Sequence, residues 1–209
     1  MINIYQKFYS LETEKRERII NAALKEFAQN GYERASTNEI IKEANISKGS
    51  LFNYFKSKKD LYLYLFERIT EIIDKIYDEI NYNETDFFKR TKEIGLIKFK
   101  IMKKFPQAFE FIQAAGNEHS EEVKSEIEEI CKHVIENGFE RGFKNIDMTK
   151  FRDDMDFEKV MNIISWTMLS FSEQQRNRLN SYKDISTEML EEWDEYFDIL
   201  ERCFYKKGE

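Results

Sequence analysis

Between Ile46 and Lys59 the chain carries four lysines, Lys48, Lys56, Lys58 and Lys59, and no acidic residue. The surrounding stretch, "NISKGSLFNYFKSKKDL" from 45 to 61, interleaves them with Ser47, Gly49, Ser50, Asn53 and Tyr54. Ammonium groups attract an anion over a distance, while hydroxyls and an amide read hydrogen-bonding edges at contact. This set suits a polyanion surface. It does not suit catalysis: the chain has no phosphate-cradling glycine loop, no nucleophile motif and only two histidines, His119 and His133. Glu118, Glu121 and Glu122 flank His119, but acid-rich helix starts are common because carboxylates favour a helix N-terminus. No catalytic residue, metal ligand or cofactor is expected, and the chain does not read as an enzyme. Cys131 and Cys203 form no CxxC pair; they read as small thiols in a reducing compartment, with a redox role left open.

The basic stretch stands out because the whole chain of 209 residues carries a formal net charge of −7. Residues 1–62 hold 11 Lys/Arg against 8 Asp/Glu, whereas residues 63–209 hold 22 against 32. A polyanion contact made by the first part alone fits that asymmetry. With 41% hydrophobic and 35% charged residues the chain can bury a real core. The longest uncharged run, Val160–Ser172, is 13 residues, short of the roughly 18 to 20 that span a bilayer. The N-terminal stretch lacks an apolar signal core. A cytoplasmic protein without a membrane partner is expected.

One proline and seven glycines leave turn punctuation scarce, so long helices are expected. Ile20, Ala23, Leu24 and Phe27 repeat at helical spacing, and Gly31 reads as a C-terminal cap. Thr37 reads as the cap of a short second helix with Ile40, Ile41 and Ala44 on its apolar side. Asn45 tolerates the left-handed backbone of a tight turn, and Ser47 is placed to cap a third helix on which Leu51 and Phe55 share a face. A long fourth helix follows, from about Lys58 to Ile80. Two short helices joined by a tight turn make a helix-turn-helix. With Leu51 and Phe55 turned inward, Lys48, Gly49, Ser50, Asn53 and Tyr54 lie on the outward side and N-terminal end of the third helix, the part that approaches base edges in the major groove. The plainer reading, with "FNYF" as core packing and the lysines as a solvated face, is outweighed by the capped turn and the acid-free stretch.

Residues 16–66, "RERIINAALKEFAQNGYERASTNEIIKEANISKGSLFNYFKSKKDLYLYLF", resemble the DNA-binding region of the tetracycline-repressor (TetR) family. The remaining three quarters match that family in helical layout alone. The resemblance implies a ligand-responsive transcriptional regulator, most often a repressor, that binds a palindromic double-stranded DNA operator as a homodimer and is released by a small molecule. Carried over by motif, Thr37 would touch phosphate; Ser47, Lys48, Gly49, Ser50, Asn53 and Tyr54 would face DNA; Lys58 would grip the backbone. Asn45 stands where the family usually has a turn glycine. Phe52 stands where it usually has tyrosine, which removes a hydroxyl contact to phosphate.

The expected fold is all-α: a three-helix DNA-binding domain over residues 1–60, joined by a long helix to a helical ligand-binding and dimerisation domain over 61–209. Breaks between helices are expected near 81–86, 104–107, 114–120, 141–150 and 177–186. Phe157, Val160, Met161, Ile164, Met168 and Phe171 form one apolar stripe; Met189, Trp193, Phe197, Leu200 and Phe204 form another. The resemblance implies that these two helices pair with their two-fold mates. The aromatic-rich second part points to an apolar or amphipathic effector, although the same residues could equally fill an ordinary core. A helical protein-interaction module without sequence-specific DNA binding, and an activator of the same family, are the competing functions.

Overall fold

The computed structural model describes residues 5–207, without the side chains of His133, Ile135 and Glu136. Among the described residues the regular structure is helical, with no strand. In chain order the helices are α1 (Gln6–Tyr9), α2 (Thr13–Arg34), α3 (Thr37–Glu43), α4 (Lys48–Tyr54) and α5 (Lys58–Asp78). Then come α6 (Phe87–Lys104), α7 (Pro106–Gly116), α8 (Lys124–Gly142), α9 (Phe157–Arg178) and α10 (Glu188–Phe204). The five expected breaks each fall at or beside a gap between helices. Their causes are local: Pro106 opens α7, where its missing N–H costs nothing, and Asp156 caps α9 by accepting from the N–H groups of Glu158 and Lys159. No helix among the described residues is long and apolar enough to cross a membrane.

The chain packs as two compact units. One comprises residues up to Asp74 together with 105–136; the other comprises Lys75–Lys104 and the chain from Asn137 onward. In the first unit α2, α3 and α4 close around Ile19, Ala23, Phe27, Ile40, Leu51 and Phe55, all buried. Helix α7 packs along α2, where Phe111 meets Phe27, Tyr62 and Phe66 at ring-centroid distances of 6.3, 5.0 and 4.9 Å. Gly31 breaks the helical backbone of α2 at the expected place. It adopts φ +68° at a kink, and helical residues resume to Arg34. Left-handed backbone at this point favours glycine, and the N–H of the following Tyr32 donates to Glu118 Oε2 at 2.5 Å.

The second unit is built on α6, α9 and α10. Phe87, Phe88, Val160, Ile164, Trp193 and Phe197 form its buried centre. Arg90, fully buried on α6, satisfies part of its guanidinium on the carbonyl oxygens of Gly142, at 3.1 Å, and Glu84. Lys150 donates to Asp86 at 2.8 Å. Burial alone would raise the Asp86 carboxyl, but the Lys150 ammonium and the Lys89 backbone N–H hold it below the usual carboxylate range.

The two stripes anticipated at 157–171 and 189–204 turn out to serve chiefly this internal core. Val160, Ile164, Trp193 and Phe197 are buried, with Met161, Met168, Phe171 and Leu200 packed against them. A different set faces outward: Ile163, Trp166 and Leu169 on α9, the last two 66% and 69% exposed, and Tyr196 and Ile199 on α10. An open groove of about 360 Å³, lined by Trp166, Thr167, Ser170, Phe171, Gln174 and Tyr196, runs along this face.

Candidate nucleic-acid interface

The turn between α3 and α4 is made by Asn45, at φ +53°. Asparagine reaches this region more readily than other side-chain-bearing residues, which is why the replacement of glycine leaves the turn intact. The N–H groups of Asn45 and Ile46 close it on the carbonyls of Lys42 and Ile41, at 3.2 and 3.1 Å. Ser47 then caps α4: its Oγ accepts from Ser50 N–H at 3.2 Å and shares a 2.8 Å hydrogen bond with Ser50 Oγ. Helix α3 starts one residue earlier than expected. Ser36 holds the cap position and Thr37 is the first helical residue, while the Ser36 N–H is satisfied by Glu26 Oε1 at 2.8 Å.

Buried Leu51 and Phe55 anchor α4, leaving Lys48, Gly49, Phe52 and Asn53 exposed and Ser50 and Tyr54 half-buried. A Cβ at Gly49 would meet nothing within 4 Å, so nothing inside the chain demands glycine there. Tyr54 turns partly inward, with its ring 5.7 Å from that of Phe8. The basic stretch divides in two. Lys48 and Lys56 are exposed. Lys58 Nζ donates to the carbonyls of Glu33 and Ala35 at 3.1 and 3.3 Å and sits 4.6 Å from the Tyr32 ring centre, capping the end of α2. Lys59 donates to the Glu122 carbonyl at 2.6 Å and pairs with Glu126 at 2.5 Å. Ser57 caps α5 by accepting from the N–H of Asp60 at 3.0 Å.

Helix α1 lies outside the sequence expectations. Its Phe8 is fully buried against Phe55 and Tyr64, at 4.8 and 5.3 Å between centroids, and Tyr5 Oη donates to Asp60 Oδ1 at 3.0 Å. Lys7, between them, donates to Asn53 Oδ1 at 3.0 Å. The signal was legible in principle, since Tyr5, Phe8 and Tyr9 stand at helical spacing, but four residues are too few for periodicity to weigh.

Around His119 the carboxylate of Glu118 is committed to backbone, accepting from Tyr32, His119 and Ser120 at 2.5, 3.0 and 2.9 Å. Burial alone would raise its pKa; these N–H donors hold it below the ordinary value. The His133 side chain lies outside the described residues. Both cysteines are unpaired, Cys131 half-buried and Cys203 exposed, and burial pushes the Cys131 thiol up, away from the thiolate that redox chemistry uses.

A capped, glycine-bearing short helix, set by a left-handed Asn turn on a buried three-helix core, defines a helix-turn-helix DNA-binding protein. Residues 19–65 match the sequence model of the bacterial regulatory proteins of the tetR family. A helix-turn-helix-type transcriptional regulator of Staphylococcus aureus is 27% identical over 194 residues, covering 90% of this chain and 96% of its own. A fatty acid metabolism regulator of Bacillus subtilis is 34% identical over 68 residues, 32% of this chain; the chain spans only about a third (35%) of that relative's length. Among solved structures, a TetR family transcriptional regulator from Chloroflexus aurantiacus superposes with a TM-score of 0.68 over 97% of this chain and 98% of its own, at 23% identity. Residues 19–65 are thus a tetR-family DNA-binding region, and the chain that carries them is a DNA-binding transcriptional regulator.

Proposed function

We propose that the chain is a repressor that binds a palindromic operator as a homodimer and releases it on taking up a small apolar or amphipathic molecule. In this reading residues 1–60 serve DNA binding and 61–209 serve ligand binding and dimerisation. The observation that carries the DNA reading is the outward face of α4, acid-free and hydrogen-bonding, with Gly49 open to close approach. Ser50 and Asn53 are suited to base edges, Lys48 and Thr37 to phosphate, and Ser47 and Tyr54 to the flanks. Lys58 would reach phosphate only by leaving the Glu33 and Ala35 carbonyls, so we assign it a double role.

For the dimer, the exposed apolar face of α9 and α10 supports pairing with a second copy. Trp and Tyr are enriched at interface centres, and contiguous exposed apolar patches mark interaction sites. A symmetric pair would present two α4 helices about one DNA turn, ~34 Å, apart or a little more. The effector's class accords with the aromatic-rich chain beyond residue 62 and with the fatty acid metabolism that names the Bacillus subtilis relative. Helix α5 leaves the first unit after Asp74, and we place the transmission of the ligand signal on it. A ligand with hundredfold preference for the DNA-incompetent state shifts the equilibrium by about 2.7 kcal/mol.

Selection of an operator from random DNA, followed by titration of binding with salt and with acyl-type ligands, tests the reading. A palindromic site, a steep salt dependence, and a ligand that operator DNA weakens by the factor by which it weakens DNA are the expected outcomes. Absence of any selected sequence would reduce the chain to a helical interaction module.

A further inference from the structure

The hydrogen bond between Lys7 and Asn53 joins a helix outside the family's matched region to the one amide on the outward face of α4. We propose that Lys7 is a positioning residue for base recognition: it fixes the rotation of the Asn53 amide against the DNA. The inference rests on the assignment of Asn53 to a base edge.

The placement of Lys7 is built, not incidental. Its neighbour Phe8 is fully buried, with its ring 4.8 Å from that of Phe55 and 5.7 Å from that of Tyr54, both at the C-terminal end of α4. One turn away, Tyr5 packs 4.8 Å from Tyr64 and 5.7 Å from Phe55. Its hydroxyl binds Asp60 Oδ1, while Asp60 Oδ2 accepts from the N–H of Lys56 at 2.9 Å, just past α4. The Lys7 carbonyl itself accepts from Ser10 Oγ at 2.8 Å. The backbone of α1 is therefore tied to α4 on both sides of Lys7, and the exposed ammonium reaches Asn53 Oδ1 at 3.0 Å.

The chemistry sets the direction. An ammonium has three donors and no acceptor, so only the amide oxygen of Asn53 can face it. The Nδ2 group is then turned the other way, with two N–H donors free for an acceptor on a base edge: purine N7, guanine O6 or thymine O4. Without Lys7 the amide can rotate by a half-turn and offer its oxygen instead. In water an exposed bond of this kind contributes little; against DNA, with water excluded, it strengthens.

The experiment measures binding of wild type, Lys7→Met, Lys7→Arg, Asn53→Ala and the Lys7→Met/Asn53→Ala double variant to the selected operator and to its single-base-pair variants, at several salt concentrations. Lys7 packs nothing in the core, so thermal unfolding should stay unchanged and verify the fold of each variant. We expect Lys7→Met to lose about tenfold of the discrimination at the base pair where Asn53→Ala loses it. The double variant should lose no more than Asn53→Ala alone, and Lys7→Arg should restore the preference. Full discrimination in Lys7→Met with discrimination lost in Asn53→Ala would overturn the positioning role and leave the DNA reading standing. A salt slope shallower by about one with base preference intact would make Lys7 a phosphate contact and overturn it as well. If neither variant altered base preference, the assignment of Asn53 and this inference would fall together.

Discussion

The molecule exposes two helical faces of opposite chemistry. On α4 the side chains left outside are chiefly small, polar or basic, and the apolar anchors Leu51 and Phe55 are turned in. On α9 and α10 the anchors Ile164 and Phe197 are also turned in, yet Trp166 and Leu169 remain outside, about two thirds exposed. A polar face loses little in water and can wait for a polyanion. An apolar face of this kind stays unfavourable until something covers it. Under the proposed function, the contrast separates a surface suited to intermittent contact from one suited to lasting association.

Charging the apolar face should have the largest effect. Trp166→Glu with Leu169→Glu is expected to weaken self-association at least hundredfold, read by sedimentation equilibrium, while thermal unfolding of the monomer changes little because neither side chain is buried. Full burial of such a side chain is worth about 1.5–3 kcal/mol, and a charge adds desolvation cost. A wild-type chain that sediments as monomer at micromolar concentration would break the comparison. Phe197→Ala sharpens it from inside: about 3–5 kcal/mol of stability should be lost in chemical denaturation, because Phe197 is fully buried. If Phe197→Ala dissociated the dimer without lowering stability, the inward and outward assignments of α10 would be reversed.

On the polar side, Asn53→Ala should cost roughly 1–3 kcal/mol on the selected operator, with relaxed preference at a single base pair. Lys58→Ala should weaken all sequences alike and also lower the melting temperature, because the carbonyls of Glu33 and Ala35 lose their shared donor; weakened binding with an unchanged melting curve would remove its capping role.

The smallest effect concerns Glu118. Its folded pKa lies below the unfolded value, so its contribution is present above the unfolded carboxylate range, near pH 4, and is lost as pH falls through the folded value. Glu118→Gln keeps one acceptor oxygen and should cost at most about 1 kcal/mol at neutral pH, given the partial exposure of the site. It should also flatten the wild-type loss of stability below about pH 4, as followed by circular dichroism.

Much of the fold and of the outward face of α4 is legible in the order of the residues alone. Local rules reach from a residue to its near neighbours, and they determined the helical class, the Asn45 turn, the Ser47 cap, the five breaks between helices, and the inward turn of Leu51 and Phe55. What tertiary structure alone decided lies between residues far apart in the chain. Periodicity groups Phe197 with Trp193 but cannot say whether that stripe meets α6 or a second copy; both partners are equally apolar. An acid-free run announces four lysines, yet the ends of Lys58 and Lys59 depend on carbonyls and a carboxylate at 33, 35, 122 and 126, brought near only by folding. Glu118 holds Tyr32 across 86 residues and Lys7 holds Asn53 across 46. A long flexible side chain finds its partner by geometry, and geometry at that range is a property of the packed core rather than of the residues that flank it.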